Sequence, residues 1–539
     1  MKTIARKGDA MFQKEGLNFF TIGGQVNNSS SRDRESIDRA FSIIKRYEMN
    51  TAAFPIYWST LEPEENTFDY SQVDYIIDGA VKNELKLTLL WFGTWKNGAS
   101  HYVPRWVKKD HVRFPHIFDA LGNESMVLSP FSEVSCRADA RAFSRLLVHV
   151  KEYDKTGCVV AVQVENEPGI HAAPRDYSEA AEKLFQAELP AEVSEFVLEK
   201  RDAVATAVWQ EAGAVRNGNW RAFFGNQAEE FFSAYYFAKY VEQVAAAGKQ
   251  CFDIPLYVNV WVMETQNRIP GVDYPCGGAT SLVLGLWKRF APSIACICPD
   301  VYFDDRETYL DVCRSYARED NPLYIPESHA DAINSLHVFE AIEQYGLTGI
   351  HVFAVDATQE ENGELTPAGE AYRRTTQILS SVKPLLERYR GTGKIHSVVQ
   401  QEYADSMFLD LGTMYGRIYF LNHIPDEPYI HLDNCHENEK YTKYRGKGLI
   451  ITAEQQELYL AGEGFKLVLF PKQDATRQAS VLRGTKGLNA NNGCYLCVEE
   501  GHFDKNGIFT ADRERTGDEC DMGLWVSSDI GVVRVLLDV

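Results

Sequence analysis

Two glutamates stand where this sequence could do chemistry. Glu167 closes the run Val162-Gln163-Val164-Glu165-Asn166-Glu167-Pro168-Gly169, and Glu327 closes Leu323-Tyr324-Ile325-Pro326-Glu327-Ser328. Each sits where an apolar stretch ends. Two facing carboxyl groups can break a glycosidic bond. One gives a proton to the leaving oxygen, and the other attacks or stabilises the oxocarbenium-like centre. With 76 acidic residues in the chain, one strand-end glutamate is unremarkable. Two of them, one framed by Asn and Pro, are harder to assign to solubility.

Aromatic residues recur at comparable positions. Tyr57 and Trp58 close one apolar run, Trp91 and Trp95 another, and Trp261 and Tyr302 two more. A sugar ring offers apolar C–H faces that stack on aromatic rings, and hydroxyls that need fixed polar partners. Asn97, Asn166 and Asn259 lie beside these aromatics and can supply such partners. His329 and His351 read as ordinary hydrogen-bonding residues. No His/Asp/Glu group has metal-ligand spacing, so no metal is expected. GxSxG, a P-loop and a strand-linked GxGxxG are lacking, which disfavours ester hydrolysis, phosphoryl transfer and dinucleotide binding. No cofactor is implied.

The elements that must position these residues form a repeating pattern. Eight apolar runs fall at 19–23, 51–57, 86–92, 159–164, 255–260, 294–302, 323–326 and 349–355. Runs this apolar fit strands covered on both faces. Amphipathic stretches at 36–48 and 73–83 show helical spacing. Strands alternating with helices eight times predict an α/β fold, a (β/α)8 TIM barrel. Glu167 and Glu327 then close the fourth and seventh strands, across the barrel mouth from each other. Long connections at 98–135 and 170–250 are expected to build the walls of the site; the second contains helical stretches at 177–211 and 228–248. The barrel is expected over 1–390. After Gly391-Thr392-Gly393 the pattern changes to short β-type runs at 407–411, 415–421, 429–432, 448–452, 466–469 and 532–537, which predict a small all-β sandwich over 395–539.

The bulk properties bound the partners. The chain has 539 residues, 45% of them apolar, and a net charge of −21. Such a surface repels nucleic acid and anionic membranes. There is no apolar stretch behind the first lysines and no run long enough to span a bilayer, so a cytoplasmic location is expected. Eleven cysteines without a signal read as free buried thiols, including Cys296 and Cys298 and the lone Cys494-Tyr495-Leu496-Cys497 pair.

Asn166-Glu167-Pro168 after the fourth strand, with a glutamate after the seventh, resembles the large retaining clan of barrel glycosidases. Gln163-Val164-Glu165-Asn166-Glu167 is similar to the acid/base segment of glycoside hydrolase family 35, the β-galactosidases. Gly23-Gly24-Gln25, Trp91-Phe92-Gly93-Thr94-Trp95-Lys96-Asn97-Gly98 and Pro299-Asp300-Val301-Tyr302 resemble a bacterial branch of that family with a following β-sandwich. The resemblance implies Glu167 as general acid/base, Glu327 as nucleophile, Asn166 on the sugar 2-hydroxyl and Tyr302 orienting the nucleophile. Gln25 stands where relatives often carry an acid, and Phe353 lies in a strand where clan members often have a stacking tryptophan. The expected reaction is exo-acting release of terminal β-galactose from an oligosaccharide, with carboxyl groups about 5–5.5 Å apart. A β-glucosidase or arabinosidase of the same clan, and a non-catalytic carbohydrate-binding barrel, stay open as alternatives. So does assembly into a homo-oligomer.

Overall fold

In the computed structural model, eight parallel strands wind into a nearly closed barrel, the fold class the alternating pattern predicts. The structure describes residues 13–14, 17–265, 268–402, 404–421, 444–454, 456–472, 495–520 and 523–538. The barrel strands are β1 (Thr21–Gln25), β2 (Thr51–Tyr57), β3 (Lys86–Lys96), β4 (Val159–Asn166), β5 (Leu256–Trp261), β6 (Cys296–Val301), β7 (Glu327–Ser328) and β8 (Gly349–Val352). They pair in chain order, and β8 returns to β1 through Gly349↔Thr21 to Val352↔Gly24.

Alternation along the strands separates two layers of side chains. Leu89 and Trp91 of β3, Val258 and Val260 of β5 and Ile297 of β6 pack outward under the helices. Leu90 and Phe92, Tyr257, and Cys296 and Cys298 face inward and fill the barrel with Ala161 and Tyr324. This is why the runs read as continuously apolar. The helices follow the same logic. Arg34–Arg46 begins at Asp33, whose side chain accepts from the Ser36 N–H, and buries Ile37, Ala40, Phe41 and Ile44. The expected helical stretch at 177–211 divides into Glu179–Gln186, Ala191–Leu198 and Ala203–Glu211. Pro190 and Asp202 sit at the breaks as N-caps.

The seventh strand is shorter than its apolar run suggests. Only Glu327 and Ser328 pair with β6, as Asp300↔Glu327 and Val301↔Ser328. Pro322 and Pro326 cannot donate to a ladder, so residues 323–326 stay irregular. Ile325 still closes the barrel: its N–H donates to Gly349 O at 3.2 Å, and it accepts from the His351 N–H at 2.9 Å.

After the helices α1 (Pro367–Ser381) and α2 (Lys383–Tyr389) come two antiparallel sheets. One has six strands: β9 (Ile395–Val399), β12 (Lys447–Thr452), β13 (Glu457–Glu463), β18 (Val532–Leu537), β15 (Tyr495–Phe503) and β16 (Phe509–Glu514), in that spatial order. The other has four: β10 (Ser406–Asp410), β11 (Met414–Phe420), β14 (Phe465–Pro471) and β17 (Leu524–Val526). They share a core of Val398, Ile418, Ile450, Leu460, Leu467 and Val535. The strand expected at 429–432, Cys494 and the first ten residues lie outside the described residues. The other face of the six-stranded sheet joins the barrel's core through Leu449, Ile451, Tyr459 and Val532. Lys447, buried there, donates to Ser335 Oγ at 3.1 Å and Ala371 O at 3.0 Å, and pairs with Glu463 at 3.6 Å.

Two expected sugar platforms are corrected by this packing. Trp58 and Trp95 are both completely buried. Trp58 packs against Trp91 and Trp106, and its indole N–H donates to Glu62 Oε2 at 2.9 Å. Trp95 lies against Phe237 and Tyr240 with its indole N–H on Leu128 O. Both turn away from the barrel axis and offer no free ring face. Replacing Trp58 with Ala therefore removes core packing, and we expect a loss of about 3–5 kcal/mol, read as a lower midpoint in urea unfolding.

Candidate active site

The site forms where β1, β3, β4, β5, β6 and β7 end. Its centre is the Glu327 carboxylate, which is buried. Gln25 Nε2 donates to its Oε1 at 2.7 Å, and the Tyr302 hydroxyl donates to Oε2 at 2.7 Å. The amides of Asn166 and Asn259 approach Oε1 at 3.4 Å each. These donors come from β1, from the residue after β6, and from β4 and β5. Such a set fixes the orientation of the carboxylate.

Glu167 is placed by unusual backbone. Glu165 and Glu167 both have positive φ, 62° and 46°, on either side of Asn166. For non-glycine residues this conformation is costly and persists only where surroundings enforce it. Here the enforcing contacts are visible. The N–H groups of Asn97 and Gly98 donate to Asn166 O and Glu167 O, both at 3.1 Å. The Glu167 N–H donates to Asn259 Oδ1 at 3.0 Å. On the outer side, Glu165 Oε2 accepts from the Trp95 N–H at 2.7 Å. The β3–β4 register slips between Trp91 and Lys96, and the bulge contains Gly93. A Cβ on Gly93 would stand 2.3 Å from the Trp91 indole nitrogen and 2.8 Å from Glu165 Oε1, so only glycine fits.

The structure adds two residues that the sequence pattern did not single out as site residues. Asp300 of β6 is buried between the two glutamates, and Asn259 Nδ2 donates to its Oδ2 at 2.8 Å. Glu167, Asp300 and Glu327 each offer an oxygen within 4.8 Å of the others. Burial raises the Asp300 carboxyl well above the usual range, and Glu327 and Glu167 raise it further. Lys96 is the second addition. It is buried at the end of β3 over the Phe92 ring, with Nζ 3.9 Å from Glu167 Oε2. Burial pushes the Glu167 carboxyl up to about 7; Lys96 opposes the rise and Glu327 adds to it. A carboxyl in that range can give a proton near neutrality and take it back.

The remaining expected residues divide. Asn166, Asn259, Gln25 and Tyr302 converge on Glu327. Trp261, at the end of β5, is partly exposed beside the His171 ring. Trp58 and Trp95 do not join them. His351 faces the barrel interior, where its Nδ1 meets the Tyr324 hydroxyl at 3.1 Å. Asp300 escaped notice because it sits inside the run Ile297-Cys298-Pro299-Asp300-Val301, which reads as strand interior. Its Asp300-Val301-Tyr302 spacing, period two onto one face, is the signal that could have found it.

Two family models match parts of the chain. Residues 28–213 match the family model for glycoside hydrolase family 42, described as beta-galactosidase. Residues 372–527 match a domain of unknown function, DUF5597. No curated protein matches the chain. Among solved structures, the catalytic domain of a β-amylase from Paenibacillus polymyxa aligns at 13% identity with a TM-score of 0.50, over 67% of this chain and 98% of that one. A catalytic mutant of a family 42 β-galactosidase from G. stearothermophilus aligns at 15% identity with a TM-score of 0.50, over 70% of this chain and 58% of that one. The chain thus spans 58% of that β-galactosidase's length, and at these identities the likeness is one of fold. The family 35 resemblance is not supported, since the matching model is that of family 42; the wider clan of barrel glycosidases stands. A barrel fold and a family 42 segment thus coincide over residues 28–213, which carry Glu167.

With Glu167 as the proton donor, kcat/KM should fall as pH rises through about 7. The Lys96 ammonium favours the carboxylate form of Glu167. Lys96→Met should therefore move that basic limb to higher pH, whatever it does to the maximal rate. A limb that stays in place would separate Lys96 from the acid's titration.

Proposed function

We propose that this chain is a retaining, exo-acting β-galactosidase that frees terminal β-galactose from oligosaccharides by double displacement. The observation that carries the reading is the close approach of Glu167 and Glu327, with an oxygen of each within 4.8 Å of the other. Inverting enzymes keep their carboxyls about 6.5–9.5 Å apart so that a water fits between nucleophile and sugar. The family 42 segment supports the choice of galactose.

In this reading Glu327 is the nucleophile. Its four donors hold it aimed, and it attacks the anomeric carbon. Glu167 gives its proton to the departing glycosidic oxygen. Lys96 steadies the carboxylate that results. Water then enters, Glu167 takes a proton from it, and the glycosyl–Glu327 ester is cleaved. Asn166 and Asn259 remain beside Glu327 to meet sugar hydroxyls, and the Trp261 ring offers an apolar face for the sugar or its aglycone.

Two measurements test the assignment. Glu327→Gly should lose activity by about four orders of magnitude or more. With azide and an activated aryl galactoside it should yield the azide adduct of inverted configuration; wild-type turnover in that variant would sink the role. Glu167→Gln should cost about 10²–10⁴-fold on substrates with poor leaving groups and much less on activated aryl glycosides. For the sugar itself, a panel of nitrophenyl glycosides should give the highest kcat/KM with the β-galactoside. A clear preference for the glucoside or arabinoside would redirect the reading within the clan.

A further inference from the structure

Outside the active site, the connection after β3 brings two histidines and a glutamate to one point. His111 lies in a turn. His116 opens the short strand His116–Phe118, and Glu124 opens its antiparallel partner Glu124–Leu128. Phe118 pairs with Glu124, so His116 sits diagonally across the ladder from that glutamate. His111 Nδ1 is 2.8 Å from Glu124 Oε1, and His116 Nδ1 is 2.9 Å from the same oxygen. The two Nδ1 atoms are 3.2 Å apart. Three potential ligand atoms therefore form one small triangle.

Protons satisfy this triangle poorly. Each neutral imidazole carries one N–H. If both Nδ1 atoms donate to Glu124, two N–H groups face each other across 3.2 Å. If one accepts from the other, a contact with the carboxylate is left without a proton. A divalent cation satisfies all three edges, because every corner then presents a lone pair. The dimensions agree. A cation about 2.0–2.1 Å from each atom would stand roughly 1 Å above the triangle's plane. The donor set selects among cations: two imidazoles and one carboxylate suit zinc or a neighbouring borderline transition metal, whereas calcium and magnesium prefer oxygen. Side-chain exposure is 4% for His116, 49% for His111 and 41% for Glu124, so one side opens to solvent and a fourth ligand can be water.

We infer that His111, His116 and Glu124 form a binding site for a zinc-like divalent cation that pins this hairpin to the turn before it. The hairpin's open end, where His116 pairs with Leu128, touches the barrel. Leu128 accepts from the Trp95 indole N–H at 3.2 Å and its own N–H donates to Ser100 Oγ at 2.9 Å. The Phe118 N–H donates to Asp176 in the connection after β4. A bound cation would thus stiffen a wall that adjoins β3 without touching the reacting groups.

The test uses the full-length, tag-free chain stripped with chelator and titrated with zinc chloride in a calorimeter. Wild type should take up one equivalent that His111→Gln and Glu124→Gln each fail to take up, with affinity at that site falling about a hundredfold or more. Any cation held by Glu167, Asp300 and Glu327 remains in both variants and is counted apart. Cobalt(II) should give tetrahedral visible absorption in wild type, absent from both variants. Circular dichroism of the stripped variants should match wild type, which excludes misfolding as the cause. Equal zinc uptake by all three proteins, or none by wild type at micromolar concentration, overturns the site.

Discussion

The structure turns on one carboxylate and the strands that must meet to hold it. Glu327 takes its hydrogen bonds from Gln25, Asn166, Asn259 and Tyr302, residues separated by up to 302 positions in sequence. No local element can assemble that set. Only a closed barrel brings the ends of β1, β4, β5 and β6 to a common point, and it does so with donors that need no rearrangement when charge moves. Closure is therefore a requirement of the site as well as of the core. The seam through Ile325, Gly349 and His351 matters more than its few hydrogen bonds suggest.

A second constraint is how acidity is divided across one strand. β4 and the residue after it carry two buried carboxyls, one on each side of Asn166, and they face opposite environments. Glu165 points outward, where Asp139 and the Trp95 N–H surround it; burial and Asp139 raise it well above the usual range. Asp139 also takes the Trp91 indole N–H at 2.8 Å and the Thr94 hydroxyl at 2.6 Å. Glu167 points inward to Asp300 and Lys96. The outer pair fixes the bulge that carries Lys96, and the inner group does the chemistry we propose. The positive φ angles of Glu165 and Glu167 are the strain that this arrangement stores.

Much of this was legible from the residues. The strand-end glutamates declared themselves because apolar runs stop abruptly at them, and the run at 51–57 matches β2 because both faces are covered. The alternation of runs and helical stretches was enough for the barrel. Other features depended on tertiary context. Trp58 and Trp95 carry the right chemistry for a sugar platform, but a strand-end position does not say which way the ring turns; a four-residue helix that begins at Trp58 and the bulge that contains Trp95 send both outward. Asp300 and Lys96 hid inside strands, one in an apolar run and one beyond a bulge. Among the β strands, Glu457–Glu463 and Phe509–Glu514 escaped because charged residues at their ends mask the alternation.

The brevity of β7 has a consequence for how such a protein can change over time. With two laddered residues, the segment bearing Glu327 leans on the helices that come after it in the chain, and those helices lean in turn on the six-stranded sheet. Lys447 sits between them, buried against Ser335, Ala371 and Glu463. A recombination that exchanged the C-terminal sheets for an unrelated module would leave this cation and its partners unmatched in the interior. The two regions are thus tied into a single unit of inheritance. The sheet's inner face is thereby part of the packing that supports the barrel's last helices.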